Sequence, residues 1–166
     1  GIGEYSAQFT VTTPSSTGIR STFTRSSVSN PITGVRIILP YYADTYQSDP
    51  YYPSMIPFLY QFKSALRFMD PLRTNGQFQL VNWADRIGTT YYSNGTSKGM
   101  CYEDMIALCN AADANFWTCI PHLATDDFVT QLFTLIGETL NPDLNIFIEY
   151  SNETWNSGFT HYNQIN

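Results

Sequence analysis

From Gly34 onward, short apolar runs alternate with stretches whose apolar residues recur at helical spacing. This alternation restricts the fold more than any other feature of the chain. Residues 35–39 form a near-continuous apolar run closed by Pro40. Residues 54–62 then place Met55, Ile56, Leu59, Tyr60 and Phe62 at helical spacing. A second run, 65–69, ends at Asp70. Residues 102–110 carry Met105, Ile106, Leu108 and Cys109 on one helical face. The third run, 115–120, is closed by Pro121-His122. Thr125 is a good helix N-cap, and Asp126 and Asp127 suit the positive end of the helix dipole. Phe128, Val129, Leu132, Phe133, Leu135 and Ile136 supply the apolar stripe that follows. Asn141-Pro142-Asp143 turns the chain into a fourth run, 144–150.

Four strands alternating with helices predict an α/β fold with a parallel sheet and crossover helices. Strands apolar on both faces are what a buried parallel sheet needs. An open sheet and half of an eight-stranded barrel both fit the count. No glycine-rich phosphate loop follows the first run, where Pro40-Tyr41-Tyr42 stands instead, and no cofactor is expected.

Residues 1–33 have a different composition, rich in Ser and Thr with period-two alternation. Residues 2–13 and 18–28 are expected as two strands of a short hairpin, from a β-rich domain or decorating the barrel. The expected division is therefore 1–33 and 34–166.

Composition narrows the function. The chain has 166 residues, 43% of them hydrophobic, and only 13% charged, with a net charge of −6. That balance, with no basic run, argues against a nucleic-acid partner. No apolar stretch reaches membrane-spanning length. Abundant Ser, Thr, Asn and Tyr suit a secreted protein, as do two glycosylation sequons, Asn94-Gly95-Thr96 and Asn152-Glu153-Thr154. Cys101 and Cys109 lie on one expected helix about 12 Å apart, beyond disulfide reach. Pairing of Cys109 with Cys119 stays open, an odd count leaves one thiol over, and the spacing fits no metal site.

The fourth run ends in Glu149-Tyr150-Ser151-Asn152-Glu153, followed by Trp155. This pattern resembles the fourth-strand signature of the clan of retaining glycoside hydrolases built on the (β/α)8 barrel, which includes cellulases, mannanases and β-galactosidases. Residues 66–70, 74–76, 83–86, 102–106, 120–127 and 150–156 look like segments of secreted barrel proteins related to that clan. The resemblance implies that residues 34–166 are the first four βα units, the N-terminal half, of such a barrel. It implies Glu153 as general acid/base and Asn152 as a ligand of the sugar 2-hydroxyl. Arg67 and His122 would end strands two and three on the substrate face, and Tyr150 and Trp155 would offer stacking surfaces.

Retaining hydrolysis needs a second carboxylate about 5–5.5 Å from the acid, as nucleophile. The clan carries it on the seventh strand, so the expected nucleophile lies outside this chain, and the chain alone is expected to be inactive. Glu149 is expected to pair with Arg67 as a structural ion pair rather than to react. Trp83 and Trp117 are expected in the core. Thr154 departs from the clan's apolar residue and makes Asn152 a sequon, so a glycan there and sugar binding exclude each other. The leading expectation is a carbohydrate-active protein acting on a polysaccharide or oligosaccharide. The alternative is a non-catalytic extracellular glycoprotein, a cell-wall, sheath or filament subunit, partnered by further copies or by the missing half.

Overall fold

The structure is a computed structural model that describes residues 7–13, 22–49, 51–62, 64–75, 80–91 and 94–166. The chain divides into two compact units, 1–46 and 47–166.

In the first unit the described residues form no strand; one 3-10 turn, Pro40–Tyr42, is the regular element. The expected hairpin strands are coil where they are described, at 7–13 and 22–28, and the rest of that hairpin lies outside the described residues. Residues 35–39 are also not a strand, and Val35, Ile37 and Leu39 stay half-exposed. An apolar run becomes a strand only when a neighbour accepts its backbone hydrogen bonds. Without a ladder partner, hydrophobicity alone leaves such a run extended but unpaired. Here the Arg36 guanidinium lies over the Tyr46 ring, 5.5 Å from its centroid.

The second unit is α/β. It runs α1 (Met55–Leu59), β1 (Leu66–Arg67), α2 (Tyr102–Ala112), β2 (Phe116–Ile120), α3 (Asp126–Thr139), β3 (Ile146–Tyr150) and α4 (Tyr162–Ile165), with 3-10 turns at Tyr60–Phe62 and Trp83–Asp85. The sheet is parallel in the order β1-β2-β3. Among the described residues it has three strands rather than the expected four, residues 35–39 forming none. Arg67 is level with Trp117, which is level with Phe147, and Cys119 is level with Glu149. Asn115 locks the N-terminal ends of the strands together. Its Nδ2 donates to the Ser64 carbonyl, and its Oδ1 accepts the Asn145 N–H at 2.7 Å.

The helices form where the apolar spacing predicts them. Met105, Ile106, Leu108 and Cys109 of α2 are all buried. Thr125 caps α3, its hydroxyl accepting the Phe128 N–H at 3.2 Å. The stripe of α3 is narrower than its apolar sequence. Phe128, Leu132 and Ile136 are buried, whereas Phe133 is 42% exposed. An i, i+4, i+8 row is what one helix face can press against a sheet, and Phe133 falls off that row. Phe68 and Phe116 meet beneath the sheet at 5.6 Å between centroids, and Trp83 packs edge-on against Phe128 at 5.2 Å. Burying each large side chain of this core contributes about 1.5–3 kcal/mol.

α2 ends at Asp113, whose backbone is left-handed at φ +50°. Asn110 ties this end of α2 to the end of α3. It donates to the Thr139 carbonyl at 2.8 Å and accepts the Asn141 N–H at 2.9 Å.

Candidate active site

Strands that run parallel bring their C-terminal ends to one end of the sheet. Alternation then puts Arg67, Trp117, Cys119, Phe147 and Glu149 on the same face. Arg67 meets Glu149 across β2. Its Nε and Nη2 donate to the carboxylate at 3.0 and 2.8 Å. The same carboxylate accepts the Trp117 indole N–H at 3.1 Å and faces the Cys119 thiol at 3.6 Å. Arg67 also lies over the Trp117 ring, 5.2 Å from its centroid. The ion pair expected between Arg67 and Glu149 is therefore present. Trp117 is not in the core as expected. It stands half-buried on this polar face, because the indole N–H needs a partner and Glu149 offers one.

Beyond β3 the chain turns sharply. Ser151 continues the ladder, donating its N–H to the Ile120 carbonyl at 2.8 Å. Ser151 and Glu153 then adopt left-handed backbone at φ +56° and +42°. For residues other than glycine this costs roughly 1–2 kcal/mol each. The turn buries Asn152 to 2% exposure and leaves Glu153 exposed. Asn152 is held on three sides. Its Oδ1 accepts from Arg67 Nη2 at 2.6 Å and its Nδ2 donates to Asn75 Oδ1 at 2.9 Å. His161 Nε2 donates to its backbone carbonyl at 2.6 Å.

The structure thus joins Arg67 and Asn152 directly. Tyr150 and His122 are joined to each other, the Tyr150 hydroxyl donating to the His122 carbonyl at 3.1 Å. His122 Nε2 donates to Gln164 Oε1 at 2.6 Å, and the His122 and His161 rings lie 5.6 Å apart. Glu153 is next to Asn152 in sequence, but its carboxylate turns to Asn156, accepting from Nδ2 at 2.8 Å. Trp155 is 75% exposed at the same tip. Asn94 lies apart from this network, beside the start of α2.

Sequence reasoning missed Asn75, His161 and Gln164. Each reaches the site across a large separation or from an irregular segment, so no periodic signal marks it. All three cysteines are free and buried. Burial raises the Cys119 thiol to about 11, with the nearby Glu149 carboxylate adding to the rise. Burial likewise pushes Cys101 and Cys109 up to about 12. Among the described residues no cluster of His, Cys, Asp or Glu is placed to hold a metal ion, and no helix is long and apolar enough to cross a membrane.

Chemically, the tip offers one engaged carboxylate, one exposed carboxylate, a fixed amide and an exposed indole. No family model matches the chain, and no curated protein or solved structure matches it either.

Proposed function

We propose that this chain is the acid/base half of a retaining O-glycoside hydrolase site, working on a polysaccharide or oligosaccharide outside the cell. The observation that carries the reading is the strained turn at 151–153, which buries and fixes Asn152 while presenting Glu153 to solvent beside Trp155. A glycosidase needs a carboxyl group that can protonate a departing sugar oxygen, and an aromatic face on which a sugar ring can rest. Glu153 and Trp155 are the residues suited to these roles. Asn152 is the hydrogen-bonding partner for a ring hydroxyl, with Arg67 and Asn75 holding its amide. In this reading β1, β2 and β3 are strands two to four of a (β/α)8 barrel. Glu149 is read as the structural partner of Arg67 and Trp117 rather than as the nucleophile. The nucleophile comes from outside residues 1–166.

A second reading has its own observation. Glu153 lies in the open and bonds to Asn156 rather than lining an enclosed pocket. That favours a non-catalytic extracellular structural glycoprotein that kept the scaffold. Hydrolysis of β-glucan and β-mannan by the full-length protein, compared with Glu153→Gln, separates the two. The enzyme reading expects the variant to lose activity; the structural reading expects no hydrolysis by either protein.

A further inference from the structure

The two sequons of this chain occupy the same end of the second unit but opposite surroundings. β1 and β2 are parallel neighbours, so α2, which connects them, runs back along the sheet. Its start therefore lies at the C-terminal ends of the strands. Asn94 is fixed to that start. Its Oδ1 accepts the Cys101 N–H at 3.4 Å, and its Nδ2 donates to Asp104 Oδ2 at 2.8 Å. Asn94 and Gly95 are both exposed. Thr96, the third sequon residue, holds the local turn by donating to the Gly99 carbonyl at 3.0 Å.

We propose that, of these two sequons, Asn94 is the N-glycan acceptor and Asn152 stays bare. Glycan transfer needs a lipid diphosphate-linked oligosaccharide. The Asn94 Nδ2–C1 bond forms and the C1–O bond to the diphosphate breaks. The lipid diphosphate leaves with the electron pair, and the amide nitrogen gives up one proton. One N–H remains, enough to keep the bond to Asp104, and Oδ1 is unchanged. A sugar on Asn94 thus leaves one donor and one acceptor for these contacts and extends from an exposed residue.

Asn152 differs in its burial. It is 2% exposed, so a sugar ring on its Nδ2 would have to occupy space the protein fills. The amide is enclosed with its partners Asn75 and Arg67, at 2.9 and 2.6 Å. A chain glycosylated at Asn152 before folding could not close this turn. The segregation holds whether or not the strand-tip site is catalytic. It removes one obstacle to catalysis, since Asn152 keeps its amide free of glycan.

The test is a glycopeptide map of the full-length protein secreted from a eukaryotic host, after amidase release, which converts a glycosylated Asn to Asp. The expected map shows Asp at position 94 and unmodified Asn at position 152. A glycan at Asn152 in the folded protein overturns the proposal, and so does an unmodified Asn94. Asn94→Gln is expected to lose one glycan's worth of gel shift, and Asn152→Gln to lose none. Should Asn152→Gln fail to be secreted, the wild-type map decides alone.

Discussion

Arg67 and Glu149 grip each other across the width of the central strand, with Nε and Nη2 of one on the carboxylate of the other. The pair joins β1 to β3 near the end of the sheet where the candidate site residues gather. Both side chains are partly exposed, at 35% and 23%, so solvent screens their attraction. Most of their importance is as hydrogen-bonded partners. Glu149→Gln leaves the guanidinium and the Trp117 N–H poorly matched, and is expected to cost about 1–3 kcal/mol in urea unfolding. The double change Arg67→Met with Glu149→Leu is expected to recover part of that loss. A double variant that costs the sum of its Arg67→Met and Glu149→Leu single variants would show that the two residues are not coupled.

The row buried by α3 makes a sharp contrast between neighbours. Leu132→Ala opens a cavity under the sheet and is expected to cost 2–5 kcal/mol, within the usual range of about 2–5 for such truncations. Phe133→Ala, one residue on and half in solvent, is expected to cost less than about 1 kcal/mol. Thr125→Ala removes the cap and is expected to cost about 1 kcal/mol. Chemical denaturation of the three variants tests the assignment of the face; reversal of the first two would refute it.

The thiols provide a pH test. Burial raises Cys101 and Cys109 to about 12 and Cys119 to about 11, from an ordinary value of 9.0. The folded protein therefore holds thiol protons that the unfolded chain releases. This contribution to stability is complete below pH 9.0 and is lost as the pH rises through 11 to 12. The urea midpoint is expected to fall across that window, less steeply in Cys119→Ala. At about pH 8, alkylation of the native protein is expected to be slow at all three thiols and fast after denaturation. Rapid native labelling would contradict their burial.

At the turn, Ser151 combines left-handed backbone with a buried hydroxyl that has no hydrogen-bond partner among the described residues. Ser151→Gly relieves both and is expected to raise stability by about 0.5–1 kcal/mol. Ser151→Ala removes only the hydroxyl and should gain less. A glycine variant less stable than wild type would show that the hydroxyl is needed.

Much of the second unit is legible in its sequence because its signals are local. Helical spacing marks α2 and α3, the Thr125 cap fixes where α3 starts, and β2 and β3 fall inside their apolar runs. Residues 35–39 carry the same apolar signal but no strand, since pairing depends on a neighbour that local sequence does not reveal. The Arg67–Glu149 pair could be foreseen, because both residues end parallel strands on the same alternating face. Asn75 could not: its bond to Asn152 spans 77 residues and starts in a loop without periodicity. The place of Trp117 is hidden for a related reason. Its apolar ring suggests the core, and only the position of Glu149 on the next strand shows where its N–H goes.

The central claim is that Glu153 protonates a departing sugar oxygen. The most direct measurement is hydrolysis of β-glucan and β-mannan by full-length wild type and Glu153→Gln, alongside an aryl glycoside whose leaving group needs no proton. The account predicts a loss of at least about 100-fold on the polysaccharides and a much smaller loss in the first step on the aryl glycoside. Equal rates for the two proteins on the polysaccharides, or no hydrolysis by the wild type, would contradict it.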